Sequence, residues 1–430
     1  MSGRPAPEVH LNLNVRGMRA SATLAINERS AEMRDAGRTV YRLGLGQSPF
    51  PVPEPVVKSL RHHAHQKDYL PVRGLRTLRE AVAAYHRRRH AVHCDESDVL
   101  IGPGSKELMF LVQLVYYGDL VIPTPSWVSY APQAHILGRN VRWLQTRASN
   151  GWRLTADELE RLGAEDPGRP RLVILNYPSN PTGDTLRTED LKALAKVARK
   201  YRMVILSDEI YGELHHRGQH VSIARFYPEG TIVSSGLSKW CGAGGWRLGT
   251  FTFPRELRWL LDAMATVASE TYTSTSAPIQ YAAVRAFEGG FEIEEYLEHS
   301  RRVLRALGRK IATVLREGGA EILDPRGGFY LFPDFGPHRE ALAARGIHSS
   351  RQLCERLLEE TGVAILPGAD FGRPDEELTA RLAYVNFDGA QALVASQAVP
   401  RERPLDHEFL EATCPSTLEA IQVLVDWLSG

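Results

Sequence analysis

The chain has 430 residues, of which 43% are hydrophobic, and its formal net charge is +1 at pH 7. This length exceeds one average domain, and the apolar content can fill a sizeable core. A charge near zero argues against general electrostatic binding to nucleic acids or membranes. The four cysteines are scattered without a CxxC pair, which indicates reduced thiols rather than a disulfide framework.

Residues 1–60 are predicted to form an N-terminal arm and part of a small domain. They contain no apolar stretch typical of a signal peptide, and no run approaches the roughly 18–20 apolar residues of a membrane span. A cytoplasmic protein is therefore expected. Leu75, Leu78, Val82 and Tyr85 recur at helical spacing between charged residues, which predicts a surface helix with one buried face.

Short apolar runs then follow one another with helical segments between them. They are Val99–Ile101, Leu120–Ile122, Leu172–Leu175, Met203–Leu206, Ile232–Val233 and Leu248–Phe253. Near-continuous β-branched runs without alternation are typical of parallel strands that are covered on both faces. The alternation of strand and helix predicts an α/β domain over residues 61–319. Ligands of such a domain bind beyond the carboxyl ends of its strands.

The pattern changes again from about residue 321, where shorter apolar segments and helices alternate less regularly. Residues 320–430 are predicted to form a smaller C-terminal α+β domain. Residues 389–408 contain Pro400 and Pro404 and are predicted to be a loop insertion. A final helix is expected to end near Leu428.

Lys239 follows the run Ile232–Val233 in a Gly-Leu-Ser-Lys context, and Arg247 comes eight residues later. A lysine that is neutral part of the time can form a Schiff base with a carbonyl group. A guanidinium supplies a bidentate fork for a phosphate dianion. Considered alone, Lys239 would be a solvated surface lysine, so its context carries the functional interpretation.

Asp208 closes the run Met203–Leu206, where an unpaired buried carboxylate would be costly. It could accept from a protonated ring nitrogen and raise the pKa of that nitrogen, or it could cap a helix or form a structural ion pair. Tyr211 and Asn180 could both donate to the phenolic oxygen of a bound pyridine ring. For either residue alone, an ordinary turn or core contact remains the alternative.

Gly104, Ser105 and Lys106 follow the run Val99–Ile101 and open a predicted helix. Backbone N–H groups at such a turn can converge on an anion, although many strand–glycine–helix turns bind nothing. Trp127 lies just beyond the run Leu120–Ile122. Its indole could stack on a flat ring or pack in the core.

Together these motifs resemble those of the fold-type I, class I/II aminotransferases, which depend on pyridoxal 5'-phosphate and include the aspartate and aromatic aminotransferases. The motifs occur in the family's order as Asn-Pro-Thr-Gly at 180–183, Ser-Asp-Glu-Ile-Tyr at 207–211, Ser-Lys at 238–239 and Gly-Trp-Arg-Leu-Gly at 245–249. The resemblance runs from about Tyr41 to Tyr384. It implies a large domain with a mostly parallel sheet, a smaller α+β domain, and transfer of an amino group between an L-amino acid and a 2-oxo acid.

The resemblance also implies a role for each of these residues. Lys239 would form the Schiff base and act as the catalytic base, with Asp208 at the pyridine nitrogen and Tyr211 beside the phenolic oxygen. The rest of the cofactor-binding set would be Gly104, Ser105, Lys106, Trp127, Asn180, Ser238, Arg247 and Tyr69. Tyr69 resembles a tyrosine that reaches the phosphate of the neighbouring subunit, which implies a homodimer with composite active sites. Gly46 and Arg381 would bind the substrate carboxylate.

The same lysine and aspartate also serve pyridoxal-phosphate-dependent lyases, decarboxylases and cyclising synthases, so these alternatives stay open. A pyridoxal-phosphate-binding regulator without turnover is disfavoured because no DNA-binding module or basic arm is visible. Two groups of histidines lack metal-binding spacing and a matched set of carboxylates and are predicted to lie at the surface. They are His62, His63, His65, His215 and His216. No metal site and no nucleic-acid or membrane partner is expected, and the sequence does not select the amino donor.

Overall fold

A computed structural model describes residues 10–18 and 22–430, so part of the predicted N-terminal arm lies outside the described residues. The strands are β1 Tyr41–Arg42, β2 Val99–Gly102, β3 Asp119–Thr124, β4 Val141–Gln145, β5 Arg171–Asn176, β6 Val204–Asp208, β7 Thr231–Gly236, β8 Gly249–Thr252, β9 Tyr330–Leu331, β10 Val363–Ala364, β11 Leu366–Pro367 and β12 Ala380–Ala383.

The longer helices alternate with these strands. They are α1 Ala22–Asp35, α2 Glu54–His63, α3 Arg76–His90, α4 Ser105–Val115, α5 Tyr130–Ile136, α6 Ala156–Glu165, α7 Thr188–Lys200, α8 Arg258–Glu270, α9 Ala277–Glu288, α10 Phe291–Glu317, α11 Arg339–Ala344, α12 Ser350–Thr361, α13 Gly389–Ala398, α14 His407–Thr413 and α15 Pro415–Ser429. Within the described ranges, no helix is both long and apolar enough to cross a membrane.

Seven strands form the central sheet in the order β2-β8-β7-β6-β5-β3-β4. Strands β4, β3, β5, β6 and β7 pair in parallel, and β8 runs antiparallel to both of its neighbours. The predicted α/β class with a mostly parallel sheet is therefore confirmed.

Burial on both faces explains the near-continuous apolar runs. On β3, Leu120 and Ile122 pack into one hydrophobic cluster with α4, α5 and α8, while Val121 packs into a second cluster with α6 and α7. Strand β4 was missed by the sequence analysis. It lies at the edge of the sheet and its side chains are mostly half-buried or exposed, so it lacks a continuous apolar run.

Two small sheets lie outside the central one. Strands β11, β12 and β9 form an antiparallel sheet, and β1 pairs in parallel with β10, with Tyr41 opposite Val363. An N-terminal strand thus pairs with a strand of the C-terminal third of the chain. The domain boundaries at 60 and 319 stay predictions.

The predicted loop insertion at residues 389–408 is wrong for its first half, because Gly389–Ala398 forms helix α13. Asp388 caps this helix by accepting from the backbone N–H groups of Ala390 and Gln391, at 2.9 and 3.0 Å. Ala392 and Leu393 are buried, and His299 of α10 bonds the hydroxyl of Ser396 at 2.9 Å. Only the stretch around Pro400 and Pro404 connects helices without regular structure.

Two of the five histidines predicted at the surface are buried instead. His215 and His216 are 9% and 4% exposed, because the segment after Tyr211 runs beneath the 325–328 loop. The ring nitrogens of His216 lie 3.2 Å from the Pro325 carbonyl oxygen and 3.0 Å from that of Gly328. His62 and His65 are exposed, as predicted, and His63 is half-buried.

Candidate active site

A cavity of about 250 Å³ opens at the carboxyl ends of strands β5, β6 and β7. These ends meet because the strands run parallel, with Asn176 opposite Asp208 and Asp208 opposite Ser234. The cavity collects eleven of the thirteen site residues expected from the sequence, namely Gly46, Ser105, Lys106, Trp127, Asn180, Asp208, Tyr211, Ser238, Lys239, Arg247 and Arg381.

Lys239 stands in the loop three residues beyond β7, and its ammonium group donates to the Gly46 carbonyl oxygen at 2.8 Å. Burial, followed by the positive charges of Arg381 and Arg247, lowers the pKa of Lys239 to about 8. Asp208 opposes this shift. A lysine with this pKa is neutral in an appreciable fraction of molecules near neutral pH, which is the condition for acting as nucleophile or base.

Asp208 is the last residue of β6 and is 3% exposed. It accepts from the Tyr130 hydroxyl at 2.6 Å and, at 3.4 Å each, from the Ser234 hydroxyl and the Ile210 N–H. Among the described residues, no basic side chain forms an ion pair with it. Burial therefore dominates and raises the pKa of Asp208 to about 6. The carboxylate has hydrogen-bond donors but lacks a cation.

Tyr211 and Tyr330 face each other across the cavity, with their hydroxyl oxygens 2.8 Å apart. Burial, and then the proximity of Tyr330, holds the pKa of Tyr211 well above its usual value, so its hydroxyl stays protonated. Gly46 must lack a side chain here, because a Cβ at that position would lie 1.8 Å from the Tyr330 hydroxyl. The loop before α2 therefore approaches the two tyrosines by its backbone.

Arg381 lies on β12 and is 2% exposed. Its guanidinium stacks over the rings of Tyr330 and Phe371 and donates to the Gly44 carbonyl and, at 3.4 Å, to the Asn180 side chain. Its Nε has no hydrogen-bond partner, and no acidic side chain of the described residues pairs with it. A buried guanidinium without a counter-ion is costly unless a ligand supplies the anion.

The N-terminus of α4 forms the opposite wall of the cavity. Gly104 is the N-cap residue with a φ of 90°, and a Cβ there would lie 2.3 Å from a terminal nitrogen of Arg247. Gly104 is thus next to the cavity although it does not line it. Ser105 and Lys106 begin the helix, so backbone N–H groups of its first turn have no helical partner. They lie at the point of the cavity that the cationic side chains of Lys106 and Arg247 also line. Such a point suits a multiply charged anion.

Trp127 borders the cavity with its ring at right angles to that of Tyr130, the centroids being 5.2 Å apart. The ammonium of Lys106 lies 5.4 Å from the centroid of the Trp127 ring. Tyr69 is the residue of the expected set that the single chain leaves away from the cavity, since its side chain is 91% exposed.

The sequence analysis missed two cavity residues, Asn176 and Tyr330, and also Tyr130, which bonds Asp208 from behind the cavity wall. Asn176 ends β5 and its side chain donates to the Asp208 carbonyl at 2.9 Å while accepting from the Asn180 N–H at 2.7 Å. The pattern that singled out Asp208, a polar residue closing an apolar strand, could have found Asn176 as well. Tyr130 and Tyr330 carried no such signal, because they lie on a helix and in a strand whose placement depends on the tertiary fold.

The sequence matches the family model for aminotransferase class I and II over residues 38–391. The chain is similar to an aspartate aminotransferase of Geobacillus stearothermophilus, with 34% identity over 93% of this chain and 98% of that protein. It is 30% identical to an asparagine–oxo-acid transaminase of Streptococcus mutans, over 87% of this chain and 94% of that protein.

Among solved structures, the fold is similar to that of the Thermus thermophilus aspartate aminotransferase with maleate. The TM-score is 0.82 at 28% identity, and the match covers 97% of this chain and 100% of that one. Family, relatives and fold thus agree, and they favour none of the lyase, decarboxylase, synthase or regulator alternatives. The chain belongs to the class I and II aminotransferases, pyridoxal-phosphate-dependent enzymes that transfer an amino group between an amino acid and a 2-oxo acid.

Proposed function

We propose that Lys239, Asp208 and Arg381 perform this transfer and that an acidic amino acid, aspartate, is the amino donor. The observation that carries the proposal is the buried Arg381 guanidinium, which faces the same cavity as Lys239 and has no acidic partner among the described residues. A planar, permanently charged fork is the side chain best suited to clamp an α-carboxylate.

The residues present fit pyridoxal phosphate. Asp208, buried without a cation, suits a protonated ring nitrogen, and Trp127 offers a flat face beside it. Gly104, Ser105, Lys106, Ser238 and Arg247 suit the phosphate, and Asn180 and Tyr211 suit the phenolic oxygen. When bound, the cofactor supplies the covalent attachment point and the electron sink for the reaction.

Lys239 moves the proton. Its neutral amine takes the proton from the substrate Cα as general base and then returns it as general acid, a role worth about 10²–10⁴-fold in rate. The lowered pKa of about 8 places both protonation states within reach near neutral pH. Asp208 keeps negative charge where the ring nitrogen needs it, and Arg381 holds the substrate so that its Cα faces the amine.

The names of the relatives support an acidic substrate, and the positive charge of the cavity is compatible with one. Four cationic side chains and one carboxylate line the described cavity, namely Lys106, Lys239, Arg247 and Arg381 against Asp208. This excess of positive charge attracts anionic ligands such as the phosphate and the carboxylates of a substrate. Several relatives are named aspartate aminotransferases, and the Thermus structure is titled with maleate, a dicarboxylate.

The donor is tested with the holoenzyme, 2-oxoglutarate and single amino acids. We expect kcat/KM to be highest with L-aspartate, with oxaloacetate as the product. L-Alanine tests the need for a second carboxylate, and L-phenylalanine tests a preference for aromatic side chains. A higher kcat/KM with either of them would contradict the acidic donor while leaving amino transfer intact.

We further propose a homodimer in which Tyr69 reaches the neighbouring subunit's phosphate site, which agrees with its exposure in the single chain. The test mixes Lys239→Ala subunits with Tyr69→Ala subunits under conditions that allow exchange. A hybrid dimer then contains one site with both residues intact, so activity should rise above that of either variant alone. If mixing restores nothing while exchange is demonstrated, the composite site is wrong.

A further inference from the structure

A second cluster of polar side chains lies outside the cavity, where α3 packs near the residue after Asp208. His86 and His90 come from α3, and Glu209 and His220 come from the segment after β6. The rings of His90 and His220 are 5.4 Å apart between centroids, and those of His86 and His90 are 5.7 Å apart. The amino transfer described above uses none of these side chains.

The hydrogen bonds determine which nitrogens of these rings are free. The Tyr85 hydroxyl donates its proton to Glu213 at 2.7 Å, so His90 Nε2, 3.3 Å from that hydroxyl, must be the donor between them. His90 Nδ1 is then a buried lone pair, and it has no partner. His220 Nε2 likewise donates to Glu209 at 2.7 Å and leaves Nδ1 without a partner.

Both ring nitrogens of His86 are also buried without partners, which makes four unpaired ring nitrogens in one cluster. Each buried polar group without a partner costs about 1–3 kcal/mol. Native structures contain few such groups, and several together point to a missing ligand.

Glu209 completes the set. One of its carboxylate oxygens accepts from the hydroxyls of Ser207, Ser222 and Tyr177, at 2.7, 2.6 and 3.3 Å. The other oxygen faces His220 alone. A carboxylate oriented by hydroxyl groups on one oxygen is typical of a metal ligand with its supporting shell, and a metal ion would bind the other oxygen by replacing the proton that it shares with His220 Nε2.

We propose that His90, Glu209 and His220 bind a divalent transition-metal ion of the zinc type. Each residue offers one ligand atom, and the three atoms lie within 4.8 Å of one another. In the described part of the chain, no other group of three histidine, cysteine or acidic residues meets this criterion. Two imidazoles and a carboxylate are a known zinc ligand set with one open position.

The test is the zinc content of the full-length holoenzyme after dialysis against zinc chloride and desalting, measured by inductively coupled plasma mass spectrometry. We expect about one zinc per chain, retained equally with and without pyridoxal phosphate. His90→Asn and His220→Asn should each weaken zinc binding by more than about tenfold. His93→Asn is the matched control, because His93 lies three residues beyond His90 and is exposed.

Zinc retained by both ligand variants as strongly as by the wild type, or no zinc in the wild type, overturns the site. Should the variants fail to fold, X-ray absorption of the zinc-loaded wild type decides. Two imidazole ligands and at least one oxygen support the proposal, and a different ligand set contradicts it. Because zinc content is measured independently of turnover, this result does not depend on the assigned amino donor.

Discussion

Asp208 and Glu213 are buried carboxylates five residues apart on the same segment, yet they have opposite surroundings. Glu213 is 5% exposed and pairs with Arg89 at 2.9 Å and Arg301 at 2.6 Å, and it accepts from Tyr85 at 2.7 Å. Asp208 has three hydrogen-bond donors and forms no ion pair with a described residue. Burial alone would raise both pKa values; the two arginines lower that of Glu213, whereas that of Asp208 rises to about 6.

The same contrast separates two arginines, the partly buried Arg301 and the buried Arg381. Arg301 is paired with Glu213, whereas Arg381 has no acidic partner among the described residues and leaves its Nε without a hydrogen bond. Removing the counter-ion of a paired buried charge destabilises the fold, whereas a buried charge that has no counter-ion in the protein requires one from a ligand. Buried charges without an ion-pair partner therefore lie in the active site, whereas the paired charges stabilise the structure around it.

Lys239→Ala is the most severe test of the active-site charges that have no ion-pair partner. We expect kcat to fall by at least about 10⁴-fold, because the attachment point and the proton carrier are lost together. The thermal midpoint should not fall, since a buried amine with a lowered pKa is removed. Borohydride reduction of the wild type should label Lys239, and labelling of another lysine would contradict the assignment.

Arg381→Ala should lower kcat/KM for an amino acid substrate while sparing the fold. Removing one member of a buried charge pair costs about 2–5 kcal/mol, which is roughly 30- to several-thousand-fold in kcat/KM. Arg381→Lys should recover only part of the loss, because a point charge cannot reproduce the fork. An amine without a carboxylate is the control substrate. If it suffers as large a loss as the amino acid does, Arg381 does not clamp the carboxylate.

Asp208→Asn is compared with Glu213→Gln, because both replace a buried carboxylate by its amide. Asp208→Asn should lower kcat by about 10²–10³-fold, similar to the loss of one preorganised electrostatic group, and should weaken cofactor retention. Glu213→Gln should instead lower the thermal midpoint, because Arg89 and Arg301 lose their counter-ion. Equal thermal midpoints for the Asp208→Asn and Glu213→Gln apoproteins would contradict this difference between the two carboxylates.

Arg301→Ala gives the smaller effect expected of the paired region. Losing one partner of a fully buried ion pair costs about 3–5 kcal/mol, and we expect a loss at or below the lower end of this range because Arg301 is only partly buried and Arg89 still contacts Glu213. Denaturant unfolding of the apoprotein measures this loss, and kcat/KM of the folded enzyme should stay unchanged. A fall in kcat/KM as large as that of Arg381→Ala would mean that pairing does not distinguish the two regions.

The sequence predicted the site residues best where a charged side chain stood at or just beyond the end of a predicted strand. Lys239, Asp208 and Arg247 each stood out beside an apolar run, and the parallel sheet then placed them at one cavity. The α/β class followed from runs that are buried on both faces. Strand β4 was not predicted because an edge strand needs no continuous apolar run.

What the sequence could not predict depends on contacts between distant segments. The Tyr211–Tyr330 contact joins residues 119 positions apart, and the histidine cluster joins α3 to residues beyond β6. Helix α13 was mistaken for a loop because its burial against α10 outweighs the influence of the following prolines. Whether a buried charged side chain has an ion-pair partner likewise depends on the tertiary fold.

The pKa of Lys239 offers the finest test of the comparison. Burial, then Arg381 and Arg247, lowers this pKa from 10.5 to about 8 in the apoprotein. Only the neutral amine reacts with an amine-selective reagent, so labelling of Lys239 should rise about tenfold per pH unit below 8 and level off above it. Mass spectrometry of the Lys239 peptide gives the midpoint. Arg381→Ala removes a like charge, so it should move the midpoint to higher pH, whereas Arg301→Ala should leave it in place. A wild-type midpoint near 10.5 would mean that the unpaired charges do not act on Lys239.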